Sequence, residues 1–186
     1  MEGKPNNQST DVQIDQLRRR VHRLTVDSVT GLLKKEGLID KVLESDPDIV
    51  DILSSPIAVV SLDFDGFKDI NDTYGHHAGD VYLKTISHEI DKFAWGIGDN
   101  TGFAFRGKEG DEIVVVLKII GDKSEYESRV EQFRVGLNNS LAELGDEFVK
   151  KGIDRRNPSL SVGCVFAKNG VYRDSPSVAL DRLLNL

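Results

Sequence analysis

Four acidic residues in two separated places carry the chemistry that can be read first. Asp63 and Asp65 close the β-branched run IAVVSLDF, and Asp111 and Glu112 open a second apolar run, IVVVLKI. If two strand ends bring these groups together, their like charges repel by something on the order of several kcal/mol at low dielectric. A divalent cation removes that conflict. Carboxylate and backbone carbonyl oxygens are hard ligands, and a few of them with open coordination positions suit Mg²⁺ that also holds a phosphate. Asp63 and Asp111, with the Phe64 carbonyl beside Asp63, form the favoured metal set, and Glu112 stands in reserve. Asp65 shares a face with Asp63 only while the strand stays straight. The same spacing also suits an acidic rim that serves solubility, because Asp at a strand end is a common turn former.

The residues that follow Asp63 read D-F-D-G-F-K-D-I-N-D-T-Y-G-H-H-A-G-D, positions 63 to 80. Gly66 permits a tight turn whose backbone N–H groups can face an anion, and Lys68 supplies a mobile ammonium for a phosphoryl group. Asn71 offers an amide donor and acceptor. Asp80 offers acceptors that match the N1–H and N2–H donors of guanine and not the edge of adenine, so the pair selects GTP over ATP. Taken singly, Asn71 also reads as a turn residue and Asp80 as the cap of the next helix.

The elements that must position these groups follow from periodicity. IAVVSLDF, residues 57 to 64, has no alternation and reads as a central strand. Leu83, Ile86, Ile90 and Phe93 recur at helical spacing and place a helix over about 78 to 94. TGFAFRG and DEIVVVLKI, joined by Lys108, Glu109 and Gly110, form a hairpin. From Tyr126 to Phe148 the apolar residues step by threes and fours, predicting a helix over about 123 to 150 that Asn157 and Pro158 break. SLSVGCVFA is a further strand, and Pro176 opens a last short helix. Two more helices precede the first strand, one over about 35 to 44 and a short one after Pro47. The compact part therefore runs β, α, β, β, α, β, an α+β ferredoxin-like arrangement with an antiparallel sheet covered by helices. In that arrangement the first strand lies beside the third and runs against it, so Asp63 and Asp111 are expected to face one another.

The 186 residues suit one domain with an appendage. Twenty-four basic against 31 acidic residues leave a net charge of −7, which disfavours a sequence-blind nucleic-acid binder or an anionic-membrane binder. Cys164 is the single cysteine, so no internal disulfide forms, and a buried thiol in a reducing cytosol is expected. No window approaches a membrane span, and the start lacks a secretory signal, so a soluble, cytoplasmic chain is expected. Residues 1 to 10 are polar and read as a disordered tail. Residues 11 to 26 read as a lead-in helix for signalling and dimerisation, with Ile14, Leu17, Val21 and Leu24 on one stripe. Arg18, Arg19 and Arg20 point in different directions around it and read as a solvated face. A helix this short cannot persist alone, so the stripe must pack on the domain or on a second copy.

LDFDGFKDINDTYGHHAGD, followed about thirty residues on by FRGKEGDEI, resembles the signature of the GGDEF-domain diguanylate cyclases. DSVTGLLKK, residues 27 to 35, is similar to the segment that opens those domains, and SLSVGCVF resembles their S-x-G strand. Four segments in the right order are far more specific than one short match. The resemblance implies a palm-like domain over 27 to 186 that condenses two GTP into cyclic di-GMP with release of pyrophosphate, as a homodimer. Mg²⁺, with Mn²⁺ as an alternative, would be bound by Asp63, the Phe64 carbonyl and Asp111. Asp111 would also accept the proton of the attacking 3′-hydroxyl, Lys68 would stabilise charge on phosphate, and Asn71, His76 and Asp80 would bind the nucleotide.

Three departures follow. The signature reads Glu109-Gly110-Asp111-Glu112-Ile113, with Arg106 one residue farther from it than the family pattern expects, and a glutamate near a triphosphate adds an unfavourable charge. The family's product-inhibition motif is missing at Asp99 to Gly102, so feedback by cyclic di-GMP there is not expected. The family's basic C-terminal helix has no counterpart before Leu186. A catalytically weak GTP-binding or signalling module is therefore the second reading, and a palm-type nucleotidyl transferase with another product is a third. Any upstream sensory partner is left open.

Overall fold

A computed structural model of the chain describes residues 13, 16–17, 20–22, 24–96, 102–107, 111–153 and 159–167. The elements in order are α1 (Lys35–Leu43), α2 (Pro47–Ser54), β1 (Ile57–Phe64), α3 (Phe67–Tyr74), α4 (His76–Gly96), β2 (Gly102–Arg106), β3 (Ile113–Lys118), α5 (Lys123–Lys150) and β4 (Leu160–Ala167). The strands form one sheet in the order β2-β3-β1-β4, and every neighbouring pair is antiparallel. The expected βαββαβ order and the pairing of the first strand with the third are both present.

β1 is buried on both faces because each face meets helices. Ala58, Val60, Leu62 and Phe64 pack under α4 and α5 with Leu83, Ile86, Ile90, Phe133, Leu137 and Phe148. Ile57 and Val59 point the other way, against Leu38 and Val42 of α1 and Ile49, Ile52 and Leu53 of α2. That is why the run shows no polar alternation. α2 begins as its sequence directs, with Pro47 at the first turn and the Asp46 carboxylate accepting the Ile49 N–H at 3.4 Å. Within the main core the Tyr82 and Phe148 rings stand 4.7 Å apart and join α4 to α5.

Several expectations change. Phe67–Tyr74 is a helix where the sequence suggested only a cradle-forming turn, and Gly66 caps it in the left-handed region at φ 69°. This conformation suits glycine, because a side chain there meets steric penalty. α5 keeps its expected bounds and ends at Lys150, where the chain turns at once, before Asn157 and Pro158: Gly152 and Ile153 donate back to the carbonyls of Val149 and Phe148. Cys164 is exposed and not buried. Among the described residues β4 pairs only with β1, so it is an edge strand, and Cys164 meets the Tyr126 hydroxyl at 3.2 Å instead of a core. The described residues between 13 and 25 are helical. Leu17, Val21 and Leu24 are 61, 55 and 60% exposed, so the rest of the described chain does not cover the apolar stripe. The tail at 1 to 10, the loop at Lys108 to Gly110, the stretch from Asp99 to Thr101, the Asn157-Pro158 break and the helix from Pro176 lie outside the described residues.

Candidate active site

Register decides which acids meet. The β1–β3 ladder ends at Leu62 opposite Ile113. Both of these side chains enter the core under α4 and α5, and that shared burial fixes the pairing. Asp63 follows Leu62 on β1, and Glu112 and Asp111 precede Ile113, so the three acids lie just past the same end of this ladder.

Glu112 is held back along the ladder. Its carboxylate accepts the Ser61 hydroxyl at 3.1 Å, and a β-carbon on Gly107 would collide with it. The Gly107 N–H donates to the Glu112 carbonyl at 3.0 Å, which closes the base of the hairpin just before the loop. Asp63 is exposed and Asp111 half-buried. Asp65 turns the other way: it accepts the Ser161 hydroxyl at 2.6 Å, and its N–H donates to the Ser159 carbonyl at 3.2 Å. Asp65 therefore latches the end of β1 to β4.

Lys68 and Asn71 ride on α3, and His76 and Asp80 on the first turns of α4. His76, Asp80 and Lys68 are exposed. His76 and Asp80 stand four residues apart, so they share one helix face. Asn71 packs its side-chain amide directly against Gly79, where a β-carbon would overlap the amide oxygen. That close approach brings Asn71 beside the helix that carries Asp80. Neither residue plays the bland role open to it: Asp80 lies inside α4 and caps nothing, and Asn71 lies inside α3. Gly79 and Ser61 escaped the sequence reading, and Ser161 entered it only through the S-x-G strand, without its contact to Asp65. Gly79 left a signal as the small residue directly before Asp80.

The donor chemistry fits a hard cation. Two carboxylates and a backbone carbonyl from neighbouring strand ends are oxygen ligands, and Asp63 opens to solvent, as a metal shared with a phosphate requires. Among the described residues no three His, Cys, Asp or Glu side chains gather closely enough to hold a metal by themselves.

Residues 24–177 match the family model for the diguanylate cyclase GGDEF domain. The chain belongs to the GGDEF family. Diguanylate cyclase DosC of Shigella sonnei is 30% identical over 96 residues, which is 52% of this chain and 20% of that protein. This chain thus spans about a fifth of the length of that relative. Diguanylate cyclase SiaD of Pseudomonas aeruginosa, solved with its activator SiaC, superposes with a TM-score of 0.58 at 21% identity, covering 96% of this chain and 64% of SiaD. The coiled coil and GGDEF domain of DgcB from Caulobacter crescentus, solved with c-di-GMP, gives 0.57 at 19% identity, covering 94% of this chain and 86% of DgcB. The GGDEF fold of this chain is therefore the palm-like α+β domain of these neighbours. No helix among the described residues is long and apolar enough to cross a membrane.

Proposed function

We infer that this GGDEF domain condenses two GTP into cyclic di-GMP, releasing pyrophosphate, with each of two copies presenting one nucleotide to the other. The observation that carries the reading is the juxtaposition at the β1 and β3 ends: Asp63 at the end of β1 and Asp111-Glu112 just before β3, one short helix away from the Asn71–Gly79 contact beside Asp80. Asn71 and Asp80 hold the guanine, His76 lies on the same helix face as Asp80, and Lys68 neutralises charge on the phosphates. Asp111 takes the proton of the attacking 3′-hydroxyl. Asp63, the Phe64 carbonyl and Asp111 would hold Mg²⁺, or Mn²⁺, which when bound neutralises the triphosphate. In-line phosphoryl transfer depends on such alignment and charge compensation more than on covalent help. The exposed Leu17, Val21 and Leu24 stripe supports pairing of two copies through the lead-in helix.

The second reading, a domain that binds GTP without turnover, draws on Glu109, which adds a negative charge where the family has glycine. One assay separates the two. Protein, Mg²⁺ and GTP are incubated and the products resolved by chromatography. Cyclic di-GMP that disappears in Asp111→Asn is the expected result. Saturable GTP binding with no product in the unaltered chain would establish the binding module instead.

A further inference from the structure

From Ile57 to Leu62, β1 is apolar except at Ser61. The main chain of Ser61 is held on both sides, since it pairs with Val114 of β3 and with Gly163 of β4. A half-buried hydroxyl in a central strand is costly unless it finds a partner. It finds one 51 residues away: the Ser61 hydroxyl donates to one oxygen of the Glu112 carboxylate at 3.1 Å. The other oxygen, and the side-chain carbons next to it, fill the space that a β-carbon on Gly107 would need. The Glu112 main chain is fixed as well, because its carbonyl accepts the Gly107 N–H at 3.0 Å. Both the backbone and the carboxylate of Glu112 are therefore held.

The direction of this hold matters. Alternation along β1 puts Ser61 and Asp63 on one face, opposite Leu62 and Phe64, which enter the core beneath α4 and α5. Two residues of a strand span about 7 Å. A Glu112 carboxylate bound at Ser61 is thus drawn toward the middle of β1 and away from the end where Asp63 opens to solvent. Asp63, Asp111 and Glu112 all lie past the same end of the β1–β3 ladder, so without the hydroxyl a third carboxylate stands beside the other two. A third carboxylate tightens the binding of a bare divalent cation and takes a coordination position that a phosphate oxygen needs.

We propose that Ser61 is a positioning residue: its hydroxyl, with the space left open by Gly107, holds the Glu112 carboxylate along β1 and keeps it out of the ligand set of a cation at Asp63 and Asp111. The cation rests on the cyclase reading, whereas the hold on Glu112 does not.

Two variants of the full chain separate the hydroxyl from the fold. Ser61→Ala removes the donor, and Ser61→Thr restores it on a residue that suits a strand. In metal-free protein, side-chain scalar couplings of Glu112 measured by NMR are expected to report one rotamer in the unaltered chain and in Ser61→Thr, and averaged rotamers in Ser61→Ala. Titration with Mn²⁺ in the absence of nucleotide, followed by electron paramagnetic resonance, should show binding about fivefold tighter in Ser61→Ala and unchanged in Ser61→Thr. That gain should vanish when Ser61→Ala is combined with Glu112→Gln, where the released side chain carries no charge. Averaged Glu112 rotamers in the unaltered chain, Mn²⁺ affinity that Ser61→Ala leaves unchanged or lowers, a gain shared by Ser61→Thr or kept by the double variant, or absence of Mn²⁺ binding in every chain overturns the proposal. The expected Mn²⁺ results in a chain that makes no cyclic di-GMP would overturn the cyclase reading and leave the role of Ser61 standing.

Discussion

At the scale of single residues, the Asn71–Gly79 contact yields the sharpest expectation. Gly79 has no room for a side chain, because a β-carbon would overlap the Asn71 amide. Gly79→Ala favours a helix interior by about 1 kcal/mol in propensity. The substitution should therefore leave melting nearly unchanged while pushing Asn71 away, and a titration with GTP should show affinity reduced about tenfold or more. Retained affinity would remove Asn71 from nucleotide recognition. Asp80→Ala tests the neighbouring acceptor: competition between GTP and ATP should show the preference for GTP weakened, since the carboxylate that matches the guanine donors is gone. The acids themselves were visible in the sequence by type and spacing. Their partners were not, because the register that ends at Leu62 and Ile113 is set by which face each strand buries.

At the scale of elements, the turn that begins the domain should carry a pH signature. Burial works to raise the Asp27 carboxyl, but the Thr30 N–H and hydroxyl, the Arg106 charge and the Val29 N–H outweigh it, and its pKa falls below the ordinary 3.8. A depressed folded-state pKa means that the ionised form stabilises the fold above the unfolded value and that this contribution disappears as pH falls through the folded value. Melting temperatures of the unaltered chain and Asp27→Asn should therefore differ at neutral pH and at pH about 5, and converge below about 3.8. A gap that widens on acidification would reject the assignment. The elements with long apolar periods, β1, α4 and α5, were legible because burial of a stripe imposes its own spacing. α3 was not: its eight residues bury only Ile70, too few turns to set a period, and its start depends on the left-handed Gly66. The exposure of Cys164 was likewise hidden, since an edge strand and a central strand can share one composition.

At the scale of the whole molecule, the uncovered stripe of Leu17, Val21 and Leu24 bears on assembly. Replacing Leu17 and Val21 with Ser should shift sedimentation toward the monomer and lower turnover most at low protein concentration, with turnover recovering as concentration rises. Full turnover by a monomeric variant would reject catalysis by paired copies. What could be settled from the order of amino acids was the architecture and the chemical types present: a βαββαβ sheet, acids at two strand ends, and an amide and a carboxylate nine residues apart on the way into a long helix. Those features depend on local periodicity and on side-chain chemistry, which a chain carries along its length. Only the folded arrangement decided that Glu112 meets the Ser61 hydroxyl, that Asp65 is diverted to Ser161, and that Asp27 reaches Arg106. These are contacts between distant segments, and their partners are chosen by strand register and by which groups lose water together, quantities that no stretch of sequence contains alone.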